Sequence, residues 1–120
     1  MKDNNTNTLA ALLKQIKEKA QDVEFSEVMA AINDNYQYQP TTFTNGVLVN
    51  DAGTNEGSCK IFSFAQLNDL TQQQTLACFG RYYREDVLEN PTGDDHGNIR
   101  NFMKTGWQGV SFNSVALQQF

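Results

Sequence analysis

Apolar residues recur at helical spacing along the first third of the chain. Leu9, Leu12, Leu13, Ile16 and Ala20 form one stripe with lysines on the opposite face, which predicts a first helix. Phe25, Val28, Met29, Ile32 and Tyr36 repeat that spacing over a second helix, from about Ser26 to Tyr36, with Ser26 as its N-cap. The period then changes. Gln37 to Pro40 reads as extended, because proline disfavours helix in the residue before it. Thr44-Asn45-Gly46 reads as a turn, Val47 to Val49 as a short strand, and Asn50 to Gly57 as a loop. Ser58 to Leu67 (SCKIFSFAQL) is apolar on both faces, so its period does not separate a buried helix from a central strand. A buried helix, capped near Asn55 or Ser58, is the favoured reading.

The clearest helix start is Thr71-Gln72-Gln73-Gln74, the pattern of a capping box. The helix it opens carries Leu76, Phe79, Gly80, Tyr83 and Val87 on its inner stripe and ends at Asn90-Pro91. Gly80 in that stripe costs helix stability and would let another backbone come close. A fifth helix starts near Asp94 or Asp95 as N-cap, turns Ile99, Phe102 and Met103 inward, and ends at Gly106. Trp107 then anchors a last strand, Val110 to Phe112.

The fold class these elements predict is α+β, predominantly helical, with about five helices and a small two-stranded antiparallel sheet made by Val47–Val49 and Val110–Phe112. The 120 residues make one domain, with residues 1–8 and 116–120 expected to be flexible. Composition adds exclusions. A net charge of −5 argues against nucleic acid as a partner, since bulk binding needs a field that attracts phosphates. No apolar run has the length of a membrane span and no cleavable signal peptide is visible, so no membrane role is expected. Two cysteines do not make a disulfide scaffold.

Four ordered blocks carry a resemblance: FTNG at 43–46, NEGSCKIFSFA at 55–65, TLACFGRYYREDVL at 75–88 and HGNIRNFMKTGW at 96–107. Together they resemble the HopJ (HopPmaJ) type III effector family over roughly Phe25 to Leu117. The resemblance implies an effector-family protein of unknown biochemical activity that acts by binding a host or bacterial protein partner or a small ligand. It implies a cytoplasmic protein in the bacterium, with export by a type III system into a host cell. It assigns no catalytic residue and no cofactor.

The residues themselves offer three candidate chemistries. Cys59 or Cys78 with His96 would suit a cysteine-dependent hydrolase or transferase, because a neighbouring imidazole lowers a thiol's pKa. His96 with Asp94 and Asp95 is too compact in sequence for a zinc set, so no metal site is expected. An anion-binding module is the stronger alternative. Arg84, His96, Arg100 and Tyr82 cluster around one helix–loop–helix, and the helix start at Asn55 offers free N–H groups. These residues are expected to converge on one concavity that takes a small anionic ligand. The competing structural reading pairs the two arginines with acidic residues such as Asp86, Glu56 or Asp51 and buries both cysteines. Asn45, Asn50, Asn55, Asn98 and Asn101 are expected to satisfy backbone groups, or else to floor a cleft.

Overall fold

The computed structural model describes the backbone from Lys2 and the side chains from Leu9 to Phe120. The expectation for residues 1–8 falls outside the fully described residues. Helix α1 (Lys2–Glu18) lays Leu9, Leu12 and Ile16 against α2 (Phe25–Asn35), which buries Val28, Ala31 and Ile32. Glu24, not Ser26, caps α2. Its backbone N–H donates to Glu27 Oε1 at 3.1 Å, so the acidic residue at the third helical position closes the box and Ser26 lies inside the first turn.

The fold is α+β and predominantly helical, with two small antiparallel sheets in place of the one expected. Strand β2 (Phe43–Asn45) is the centre of a three-stranded sheet, flanked by β3 (Leu48–Asn50) and β4 (Val110–Phe112). The last strand therefore pairs with Phe43–Asn45, not with Val47–Val49. The sequence hides β2 because a buried strand residue there is Asn45, which is fully enclosed but hydrogen-bonded from across the fold. Val47 is the exposed tip of the turn, which Gly46 makes with φ of +62°. A second sheet pairs β1 (Tyr36–Tyr38) with β5 (Leu117–Gln119). The stretch read as a flexible tail thus forms an edge strand, held by buried Ala116 and Leu117.

Ser58–Leu67 lies within α3 (Glu56–Leu67), a helix. It is apolar on both faces because it is covered by α2, α4 (Gln72–Ala77) and β5. Phe62 is its hub, with ring centroids 4.9 Å from Phe102, 5.6 Å from Phe79, 6.1 Å from Phe43 and 6.2 Å from Trp107. Burying such a ring is worth about 1.5–3 kcal/mol, so this cluster ties α3 to the turn after α4, to the helix that carries Phe102 and to the central strand.

The capping box opens α4 as its sequence predicts, with Gln74 N–H on Thr71 Oγ1 at 3.1 Å and Thr71 N–H on Gln74 Oε1 at 2.9 Å. The helix ends at Ala77 and does not run on to Asn90-Pro91 as expected. Gly80 takes φ of +60° and the chain resumes as a π-helical segment, Tyr82–Val87. A Cβ at Gly80 would stand 2.7 Å from the Phe25 backbone nitrogen, so α2 starts where a side chain would otherwise be. Helix α5 (Gly97–Thr105) is capped by His96 at φ of +50°, not by Asp94 or Asp95. Asp95 is taken up instead by Arg100. Ile99 and Phe102 face inward, while Met103 is 38% exposed.

Candidate functional site

The starts of α3 and α5 meet the π-helical segment around one cleft of about 350 Å³. One wall is apolar: Phe25, Phe79, Tyr82 and Ile99. The other is Asn55, Gly57, Ser58, His96, Gly97 and Asn98, the first turns of the two helices. Asn55 and His96 are the N-caps, both in the left-handed region with φ of 50°, and neither helix receives a side-chain cap. Bulky residues avoid that region, whereas Asn and His enter it more readily than most. The first N–H groups of a helix have no intrahelical acceptor, and residues from the first turns of both helices line this one cleft. Among the described residues, no lysine, arginine, aspartate or glutamate lines the cleft.

Three of the predicted site residues come together there and two do not. His96, Tyr82 and Asn55 line the cleft, with the His96 and Tyr82 rings 5.2 Å apart and tilted by 34°. Arg84 is not in the lining. It donates to the Val23 carbonyl at 2.8 Å and lies 3.7 Å from Glu24, bracing the turn before Phe25. Arg100 pins the loop between the π-helical segment and α5, donating to the Asn90 carbonyl at 2.8 Å, to the Asp95 carbonyl at 2.6 Å and to Asp95 Oδ1 at 2.6 Å. The Arg100 guanidinium holds the Asp95 carboxyl below the usual carboxylate range. The convergence of both arginines on one concavity is therefore corrected. Each meets an acidic side chain, although the partners are Glu24 and Asp95, not Asp86, Glu56 or Asp51.

Asp86 has a different use. Its Oδ2 lies 3.0 Å from His96 Nε2, which fixes the imidazole from outside the cleft lining. Behind the cleft, the asparagines form a chain. Asn55 donates to Asn50 at 2.7 Å, Asn98 to Asn50 at 2.9 Å, Asn45 to the Asn98 carbonyl at 2.8 Å, and Asn101 to the Asn45 carbonyl at 2.6 Å. Asn45, Asn50 and Asn98 are buried, so this chain ties the central sheet to both helix starts. Asn45, Asn50 and Asn101 reach backbone carbonyls, whereas Asn55 and Asn98 bond to the Asn50 side chain and line the cleft.

The cysteines stand apart. Both are buried and neither lines the cleft. Burial pushes the Cys78 thiol up to about 12 and raises that of Cys59, the opposite of an activated nucleophile. Among the described residues, no group of three or more His, Cys, Asp or Glu could hold a metal ion, and no helix is long and apolar enough to cross a membrane. Sequence reading missed Phe25, Phe79, Asp86, Gly57, Ser58 and Gly97. The glycines after each cap, in Asn55-Glu56-Gly57 and His96-Gly97, were the available signal.

The fold is similar to that of a solved structure titled "Crystal structure of unknown function protein VPA0580". It is 51% identical to this chain, with a TM-score of 0.91 over 92% of each chain. No curated protein matches the chain. A family model described as HopJ type III effector protein matches residues 9–117, from the first buried leucine of α1 into β5, and the chain accordingly belongs to the HopJ type III effector family.

Proposed function

We propose that this HopJ-family protein binds a small molecule with one carboxylate-like head and an apolar body in the cleft between α3 and α5. The observation that carries the proposal is the meeting of two helix starts there, both without a side-chain cap. Helix N-termini hold anions through free N–H groups and the positive end of the macrodipole. With no cationic side chain in the lining, the cleft suits a single negative charge better than a doubly charged phosphate. The Asp86 carboxylate behind His96 favours the same choice. Phe25, Phe79 and Ile99 supply the surface for the apolar body.

A thermal-shift series of carboxylates from acetate to hexanoate, with inorganic phosphate beside it, tests the reading. A ligand that binds only the folded state raises the midpoint. The expected result is a rise that grows with chain length, accompanied by NMR shifts of the Gly57, Ser58, Gly97 and Asn98 amides. Unmoved amides at saturating carboxylate would overturn the proposal. Delivery into a host cell belongs to the same proposal as the use to which binding is put; a translocation reporter fused to the full chain tests it separately.

A further inference from the structure

We infer that the same cleft hydrolyses small carboxylic esters, with His96 as general base. This rests on the binding reading, since the ester carbonyl occupies the place of the carboxylate head, but its own observation is the setting of the imidazole. His96 Nε2 faces Asp86 Oδ2 at 3.0 Å. In the neutral ring that contact makes Nε2–H the donor and leaves the lone pair on Nδ1. Nδ1 has no hydrogen-bond partner among the described residues. The side chain is only 28% exposed and lines the cleft, so a molecule bound there is the acceptor's available neighbour. Two further constraints hold the ring: a cap residue fixed at φ of 50°, and the Tyr82 ring against its face. An imidazole steered by a carboxylate, on the wall of a cleft and with its second nitrogen unpartnered among the described residues, is an arrangement suited to general-base catalysis.

The step balances without a further reagent. Water attacks the ester carbonyl carbon and gives its proton to His96 Nδ1. The carbonyl electron pair moves onto oxygen, where the N–H groups of the first turns of α3 and α5 receive the charge. The bond to the alcohol oxygen then breaks, and the leaving alkoxide takes the proton back from Nδ1. Acid and alcohol leave and the imidazole is restored. Asp86 acts as a positioning residue.

The test uses the full chain with p-nitrophenyl acetate and p-nitrophenyl butyrate. Saturable hydrolysis is expected, with kcat lowered by about 100-fold or more in His96→Asn. Asparagine is chosen because it accepts a positive φ, and a thermal midpoint checks that the variant folds. Asp86→Asn is expected to lower kcat by about tenfold and shift the pH–rate profile while KM holds within about twofold. Turnover unchanged in His96→Asn, a pH profile unmoved in Asp86→Asn, or an acyl adduct on the protein by mass spectrometry would each overturn the mechanism. A wild-type protein that binds butyrate but turns over neither ester overturns this inference and leaves the binding reading standing. Failure to bind any carboxylate overturns the binding reading itself.

Discussion

Replacing Gly80 by alanine separates what the backbone requires at that position from what its neighbours require. Gly80 sits at φ of +60°, where an L side chain costs about 1–2 kcal/mol. The added Cβ would also stand 2.7 Å from the Phe25 nitrogen and 3.4 Å from Glu24 carbon and Val23 oxygen. All three are backbone atoms and cannot rotate away, so the start of α2 must move. Overpacking of that kind costs about 1–3 kcal/mol. The sum is about 2–5 kcal/mol, which for a chain of this size lowers the melting midpoint by roughly 10–20 °C. Gly53→Ala is the internal control. It has φ of +88° but nothing within 4 Å, so only the conformational cost of about 1 kcal/mol applies. Urea denaturation of both variants gives the two values side by side, and the difference is the cost of the close approach. If Gly80→Ala loses no more than Gly53→Ala, the approach of α2 is not what holds glycine at position 80.

Three further outcomes follow from the same geometry. Asn98→Ala removes the side-chain oxygen shared by the buried Asn45 and Asn50 amides and the amide that donates to Asn50, while the residue-98 backbone carbonyl stays with Asn45, and should cost about 1–3 kcal/mol by chemical denaturation; a loss under about 0.5 kcal/mol would mean the asparagine chain relaxes onto other acceptors. Arg100→Lys keeps the charge but loses the planar fork that pins two loop carbonyls, so limited proteolysis should open the 90–95 loop ahead of global unfolding; an unchanged cleavage rate would refute the clamp. The buried Cys78 thiol, raised from 9.0 to about 12, keeps its proton in the folded state at pH values where the unfolded thiol loses it. Its contribution to stability is therefore complete below about pH 9 and declines as pH rises toward 12, and Cys78→Ala should flatten the alkaline limb of a midpoint-against-pH curve.

How much was legible in the sequence can be read residue by residue. Helices α1 and α2, the Thr71 capping box and the inner stripe of Leu76, Phe79, Tyr83 and Val87 follow from local rules. Their determinants lie within one or two turns: apolar residues at helical spacing and a side chain that reaches its own helix end. The helical state of Ser58–Leu67 needed the tertiary structure, because a segment covered on every side carries no periodic contrast. Strand β2 was masked by Asn45, whose side-chain amide N–H groups donate to Asn98, a residue 53 positions away. The same limit applies to the cleft. His96, Tyr82 and Asn55 were visible as chemistry, and the loop joining the π-helical segment to α5 kept two of them close. Where the arginines point, which carboxylate takes His96, and that α3 begins beside α5 are decided by packing between segments far apart in the chain. Local sequence fixes a helix and its cap through contacts a few residues long, whereas a site formed where two such caps meet depends on the core that docks them, here the rings around Phe62.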